Sequence, residues 1–267
     1  MPELPEVERA VRHLRPAMEG ARFERVVVRR RRLRTLLPSS FAARLEGATV
    51  RALRRRGKYL VADLSTGGTL VMHLGMSGSF EVHRPETLAL TKHDHVVFHM
   101  SSGATVVFND PRRFGSMWLH DGGTRAANPT VQLGPEPLEE AFRPEVLAAA
   151  FRRRRAPLKT ALSDQRVVAG LGNIYVSEAL HRARLSPRRP AGTLTSRSGA
   201  PRPTLRALVR AIRETLHDAL ADQSENDERF RVYDREGERC PRRGCRGIIK
   251  RIVQAGRSTF FCPACQR

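Results

Sequence analysis

The apolar positions of this chain change their period once, near residue 138. Before that point they alternate or cluster in short β-branched runs. Phe23–Val28, Tyr59–Leu64, 69–74, 96–100 and 105–108 each read as a strand, and Ser101-Ser102-Gly103-Ala104 reads as a turn between the last two. Several short strands separated by turn signals predict a sandwich or barrel. A helix over 6–14, with Val11 and Leu14 on one side, would flank it. Gly122, Gly123, Asn128, Pro129, Gly134, Pro135 and Pro137 give 120–137 the composition of a linker. Beyond it the period is helical. Residues 144–151, 158–162 and 173–183 are candidate helices, the last after a Gly170-Leu171-Gly172 turn. Leu205, Leu208, Val209, Ile212, Leu216 and Leu220 form one face of a longer amphipathic helix. Residues 186–203, rich in Pro, Gly, Ser and Arg, read as a loop.

The last 28 residues add a metal-site pattern. The chain has only four cysteines, Cys240, Cys245, Cys262 and Cys265, spaced C-x4-C-x16-C-x2-C. Two close pairs joined by a loop match a tetrahedral four-thiolate zinc site. The x16 segment reads as a hairpin. Ile248, Ile249, Ile252 and Val253 form one arm, 254–257 the tip, and Thr259, Phe260 and Phe261 the other arm. Two disulfides are the alternative, disfavoured because no secretion signal precedes the chain and the cytosol is reducing. The expectation is one structural zinc on four cysteines.

Charge then narrows the partner. The formal net charge is +21 over 267 residues, from 48 basic and 27 acidic side chains. Such a surface points to a polyanion, nucleic acid first and a membrane surface second. No apolar run approaches the ~18 residues that would span a bilayer. Nearly all the positive charge is arginine, as GC-rich codons would produce. The lysines, Lys58, Lys92, Lys159 and Lys250, stand out because lysine can give up its proton.

Candidate chemistry begins at Pro2. With Met1 removed, its nitrogen is a free secondary amine. An α-amino group titrates near ~7.7–8.0, so much of it is neutral and able to condense with an aldehyde or a sugar C1′ as an iminium. Glu3 beside it can move protons. Pro5, Glu6 and Glu8 equally suit a plain helix start, but that reading leaves Pro2-Glu3 without a role.

The segments PELPEVE (2–8), GKYL (57–60), HLGMSGSF (73–80), KHDHV (92–96), DPRRFG (110–115), LGPEPL (133–138), GLGNIY (170–175) and GRSTFFC (256–262) occur in this order. Together with the cysteine pairs they make the chain resemble the formamidopyrimidine-DNA glycosylase family, relatives of endonuclease VIII. The resemblance covers nearly the whole length. It implies an α+β multidomain fold: an N-terminal β-sandwich with flanking helices over 1–133, a helix–two-turn–helix domain over 134–234, and a zinc-finger β-hairpin over 235–267. It implies a bifunctional glycosylase and AP lyase of base-excision repair. Such an enzyme removes oxidised purines, formamidopyrimidines foremost and 8-oxoguanine as a further candidate, through a proline Schiff base followed by β,δ-elimination. Its partner would be damaged double-stranded DNA, met as a monomer in the bacterial cytoplasm at the nucleoid, with no membrane involved. The rivals are the same fold acting on oxidised pyrimidines or other lesions, and a zinc-containing DNA-binding protein without catalysis.

Residue by residue, the resemblance makes Pro2 the nucleophile and Glu3 its proton-handling neighbour. Lys58 becomes the acid/base lysine of elimination, and Arg257 the phosphate arginine linked to δ-elimination. His73, His93, Arg155 and Asn173 match DNA-contacting positions; His73 and His93 also fit as bonded polar groups of a sheet. The family often has lysine at Arg155, which belongs to the arginine run 152–155. Asn173 opens a helix, where free N–H groups favour phosphate. Met76, Arg112 and Phe114 match the set that fills the gap left by an everted base, an event costing a few kcal/mol. Phe114 would otherwise be ordinary packing. One segment departs from the family: residues 221–230 are short and acidic where a longer loop usually closes over an everted 8-oxoguanine.

Overall fold

The structure, a computed structural model, describes residues 1–84, 89–121, 128–222 and 230–267. It divides into two compact units, Met1–Val131 and Gln132–Arg267.

The first unit opens with helix α1, Leu4–Met18. A capping box starts it: the Glu3 side chain bonds the backbone of Glu6, and Glu6 Oε2 accepts the Glu3 N–H at 2.9 Å. The helix outruns the predicted 6–14 because this box sets its start earlier. Its buried stripe, Leu4, Val7, Val11, Leu14 and Met18, also continues past Pro16. The strands are β1 (Phe23–Val28), β2 (Val50–Arg56), β3 (Tyr59–Leu64), β4 (Thr69–His73), β5 (Ser79–His83), β6 (Asp94–Met100), β7 (Thr105–Asn109) and β8 (Ser116–His120), with a one-turn helix α2 (Phe41–Leu45) before β2. They form two antiparallel four-stranded sheets, ordered β1-β6-β7-β5 and β2-β3-β4-β8.

Phe23, Val96, Phe98 and Phe108 from one sheet share a single core with Leu53, Leu60, Leu70 and Met72 from the other. Val7, Val11 and Leu14 of α1 join it. This is the expected sandwich with a flanking helix. Strands β2, β5 and β8 and helix α2 lie outside the predicted elements, and His120, placed by its sequence in the linker, ends β8. The helix is strapped to β2 by polar bonds. Arg15 Nη2 donates to Leu53 O at 3.0 Å, and Leu53 N–H donates to Glu19 at 3.2 Å.

The second unit contains helices α3 (Pro144–Phe151), α4 (Leu158–Ser163), α5 (Asn173–Arg182) and α6 (Pro203–Ala221). The predicted loop 186–203 carries a single 3-10 turn, Ala191–Leu194. Strands β9 (Lys250–Gln254) and β10 (Arg257–Phe261) form the expected hairpin, although Ile248 and Ile249 precede its first arm. The hairpin packs on α5. A row of edge-to-face rings joins the two: Tyr175 to Phe230 at 6.3 Å, Phe230 to Tyr233 at 5.7 Å, Tyr233 to Phe260 at 5.3 Å. No helix among the described residues is long and apolar enough to cross a membrane.

Candidate active site and zinc centre

In the first unit, Pro2 and Glu3 immediately precede α1. Pro2 is half-buried, Met1 is 43% exposed, and Glu3 is 1% exposed. Lys58 lies on the two-residue turn between β2 and β3, where Arg56 pairs with Tyr59. Gly57 takes φ +58°, the positive angle that a II′-type hairpin needs at its first central position. Lys58 itself is only 6% exposed. Arg55 connects this turn to α1. Its Nε donates to Glu8 Oε2 at 3.1 Å and its Nη1 to Gly57 O at 3.2 Å. The helix that follows Pro2 and Glu3 is therefore held to the turn that carries Lys58.

His73 ends β4, its ring 5.0 Å from that of Tyr59. Burial, then the positive charges of Lys58 and Arg34, hold its pKa down to about 4. Gly75 N–H donates to Nδ1 at 3.0 Å. The neutral ring therefore carries its proton on Nε2, which remains a donor. Arg34 was not among the expected site residues. In the sequence it is one arginine among many, following Leu33 and four consecutive arginines.

Met76, Arg112 and Phe114, the residues expected to fill the gap, come from two loops bound to each other. Asp110, fully buried, accepts from Ser77 Oγ and from Gly115 N–H, both at 2.7 Å. Ser77 Oγ in turn accepts the Arg112 N–H at 3.2 Å. At Gly75 (φ +67°) a Cβ would come within 2.3 Å of the Phe114 carbonyl carbon, so the loops touch backbone to backbone. Met76 and Phe114 are left 46% and 39% exposed, and the Arg112 guanidinium lies 4.8 Å over the Phe114 ring. Phe114 is thus not core packing. His93 is half-buried, and its carbonyl accepts the Asp110 N–H at 3.0 Å, on the same scaffold. Asp110 was not named as a site residue; its role shows only in three dimensions.

In the second unit, Asn173 is the first residue of α5, with Gly172 as N-cap. Gln165 clamps the preceding turn: its Nε2 donates to Leu171 O at 2.6 Å and its Oε1 accepts Gly170 N–H at 2.9 Å. Asn173 Oδ1 is buried without a hydrogen-bond partner. Arg155 is exposed, whereas Arg154 turns to Asp164 at 2.9 Å. A hydrogen bond from Arg166, then Arg154, prevail over burial and hold the Asp164 carboxyl at about 2. Arg257 stands exposed just after the hairpin tip. It lines a recess of about 240 Å3 with Gln254, Asp164 and Lys159. Lys159, one of the few lysines, is 2% exposed.

The four cysteines come together with every Sγ within 4.8 Å of the others. Cys240–Cys265 is 3.8 Å and Cys245–Cys262 is 3.7 Å. A tetrahedron with Zn–S near ~2.3 Å has S···S edges of about 3.8 Å. The donor set and its spacing therefore fit one zinc ion. Gly247 N–H donates to Cys245 Sγ at 3.4 Å. His181 of α5, fully buried, places Nε2 3.3 Å from Cys240 Sγ. Burial, then Arg242 and Arg231, keep this histidine neutral, near 4, and its Nδ1 has no partner. Its proton therefore sits on Nε2, facing the thiolate.

Residues 1–117 match the formamidopyrimidine-DNA glycosylase N-terminal domain, 133–229 the H2TH domain of the same enzymes, and 237–267 a zinc finger found in them and in isoleucyl-tRNA synthetases. Formamidopyrimidine-DNA glycosylases of Bradyrhizobium sp. (strain ORS 278) and Beijerinckia indica are each 52% identical to the chain, over the full length of both proteins. The MutM (Fpg) protein of Thermus thermophilus superimposes with a TM-score of 0.83 at 40% identity, covering 99% of this chain and 98% of that one. The Lactococcus lactis enzyme, bound non-covalently to DNA containing an AP site, gives 0.87 at 30% identity over 99% of both chains. With three matching domains, full-length relatives and a shared fold, the chain belongs to the formamidopyrimidine-DNA glycosylase family.

Proposed function

We propose that this protein excises damaged bases from duplex DNA and cuts the strand at the abasic site. The observation that carries this reading is the burial of Glu3 and Lys58, at 1% and 6% exposure. Both belong to one unit, where Arg55 joins α1 to the Lys58 turn. A buried carboxylate next in sequence to a secondary amine, with a buried lysine in the same unit, suits proton transfer. With Met1 removed, the Pro2 nitrogen attacks C1′ as the bond to the base breaks, and the base leaves with that electron pair and a proton. Glu3 manages protons at the sugar. The resulting iminium acidifies C2′; loss of that proton expels the 3′ phosphate, and a second elimination expels the 5′ phosphate. Lys58 serves as acid and base in these steps. Arg257 holds phosphate for the second, and water finally frees Pro2. Zinc, bound by Cys240, Cys245, Cys262 and Cys265, holds the hairpin that presents Arg257.

His73, His93, Arg155 and Asn173 contact the DNA, while Met76, Arg112 and Phe114 fill the gap left by the everted base. Catalysis is assigned to 1–133, the DNA grip to 134–234 and the zinc hairpin to 235–267, in a monomer working in the bacterial cytoplasm. Borohydride should trap the protein on abasic DNA, and Pro2→Gly should lose most base excision. Full activity with a blocked N-terminus would overturn the mechanism.

The substrate follows from two parts of the chain. The gap-filling set favours damage opposite cytosine. The short acidic segment 221–230, of which 223–229 lie outside the described residues, lacks the length of a loop that closes over 8-oxoguanine. Formamidopyrimidines and abasic sites should therefore be processed ahead of 8-oxoguanine. Single-turnover excision on matched duplexes decides this; fastest removal of 8-oxoguanine opposite cytosine would refute it.

A further inference from the structure

The second unit has two recesses lined by five arginines each. In one, Arg184, Arg242, Arg243, Arg246 and Arg267 surround Cys245 and Cys265. Four thiolates on one zinc ion carry about two negative charges, so these guanidiniums have an anion beside them. In the other, a groove of about 710 Å3, Arg152, Arg153, Arg189, Arg197 and Arg202 converge with no carboxylate in the lining. None of these five forms an ion pair among the described residues, although arginines nearby in the chain do so with Asp164, Asp218 and Glu145. GC-rich codons explain many arginines; they do not explain five converging without a counter-charge.

The groove is built rather than loose. Arg189 Nε donates to Thr193 Oγ1 at 2.9 Å, and Arg202 Nε donates to Thr195 O at 3.0 Å. Both threonines are themselves anchored through their hydroxyls, Thr193 to Pro190 O at 2.8 Å and Thr195 to Gly192 O at 2.9 Å. Each inner nitrogen is thus committed to the protein, leaving the terminal nitrogens as a preset fork of donors. Arg197 sits on a tight loop closed by a Thr195–Pro201 bridge and by Ser196 N–H to Ala200 O at 2.9 Å. Within that loop Gly199 (φ +93°) packs on Arg152, where an added Cβ would lie 3.4 Å from Cδ.

Placement identifies the ligand. The segment carrying Arg189 is bonded on one side to the hairpin, Gln254 Nε2 to Pro187 O at 3.3 Å, and on the other to the arginine run, Gly192 N–H to Arg154 O at 2.8 Å. The groove therefore continues from the neighbourhood of Arg257 and Arg155. An open trough of guanidinium forks suits successive phosphodiesters better than one small anion. We propose that it is a second phosphate track, which holds the backbone of an undamaged duplex arm beyond the lesion. This rests on the glycosylase reading above.

The test compares salt dependence on two abasic duplexes, one confined to the lesion-flanking phosphates and one with long undamaged arms. The triple variant Arg189→Gln/Arg197→Gln/Arg202→Gln should flatten the slope of log affinity against log salt by about 2–3 on the long duplex, at ~0.9 per lost contact. It should leave the short duplex and its single-turnover cleavage unchanged. The same three positions as lysine should restore the slope. If the triple variant fails to fold, Arg197→Glu alone, on the exposed loop, should still lower the long-duplex slope by about 1 or more. An unchanged long-duplex slope with cleavage intact overturns the groove and leaves the glycosylase reading standing. Equal losses on both duplexes also overturn it. Wild-type protein that neither binds nor cleaves abasic DNA overturns both.

Discussion

Gly247 and His73 show how far single residues can be understood in one dimension. A Cβ at Gly247 would come within 2.6 Å of Cys262 Sγ and 2.7 Å of Ala264 Cβ. The cysteine spacing names the ligands but says nothing of the space between them. Gly247→Ala should therefore push Cys262 out of place at a cost of about 1–3 kcal/mol. It should release zinc faster to a chelator; normal retention would mean the turn can adapt. His73 has two readings in the sequence, a DNA-contacting position or a bonded group of the sheet. The structure shows the bonded group, Nδ1 accepting the Gly75 N–H, and leaves the Nε2 proton as a donor for the proposed DNA contact. The cysteines were legible, and Lys58 stands out, because their type is scarce in this chain. Asp110 and Arg34 were not, since aspartates and arginines are common and only folding gives these two their neighbours.

At the level of elements, legibility followed the hydrophobic period. The sequence boundaries of strands β1 and β3 and helix α5 lie within a residue of the observed ones, and the apolar face from Leu205 to Leu220 falls inside α6. Strand β2 is not legible in this way. A register shift between Val50 and Ala52 places Val50 and Leu53 both inward, three residues apart, with Arg51 and Ala52 between them and three arginines after. Strand β1 carries a similar shift between Phe23 and Arg25; what hides β2 is its composition, with arginine at four of its seven positions. Helix α2 is too short to show a period. The zinc hairpin was legible as a hairpin, but its turn carries a cost. Ala255 and Gly256 both have positive φ, +48° and +71°, the I′ arrangement that favours Asn-Gly. An alanine there is strained. Ala255→Asn should stabilise the hairpin by about 0.5–1 kcal/mol, slowing amide exchange in β9 and β10 roughly two- to fivefold. Unchanged exchange would show that the tip is not the weak point.

Over the whole molecule, the order of parts is legible in one dimension: sheets, then helices, then zinc. The placement of the arginine groove is not, because it depends on a loop folding back on the 152–155 run. The row formed by α5 is equally hidden. This helix begins at Asn173, the proposed phosphate site. Midway, Glu178 is buried and accepts the N–H groups of Arg231, Val232 and Tyr233, each at 2.9 Å. Near its end His181 donates to Cys240. One short rod thus runs from the proposed phosphate site to the cysteine cluster, so the proposed DNA grip and the zinc finger share a strut. His181→Phe keeps the volume and removes the thiolate's donor. It should lower zinc affinity by about tenfold or more, and abasic-DNA affinity should weaken in parallel as zinc is withdrawn from this variant. Unaltered zinc affinity would break the link at its last joint. If the link holds, metal supply sets how firmly this enzyme holds its lesion, so scarcity of zinc would slow repair without touching a catalytic atom.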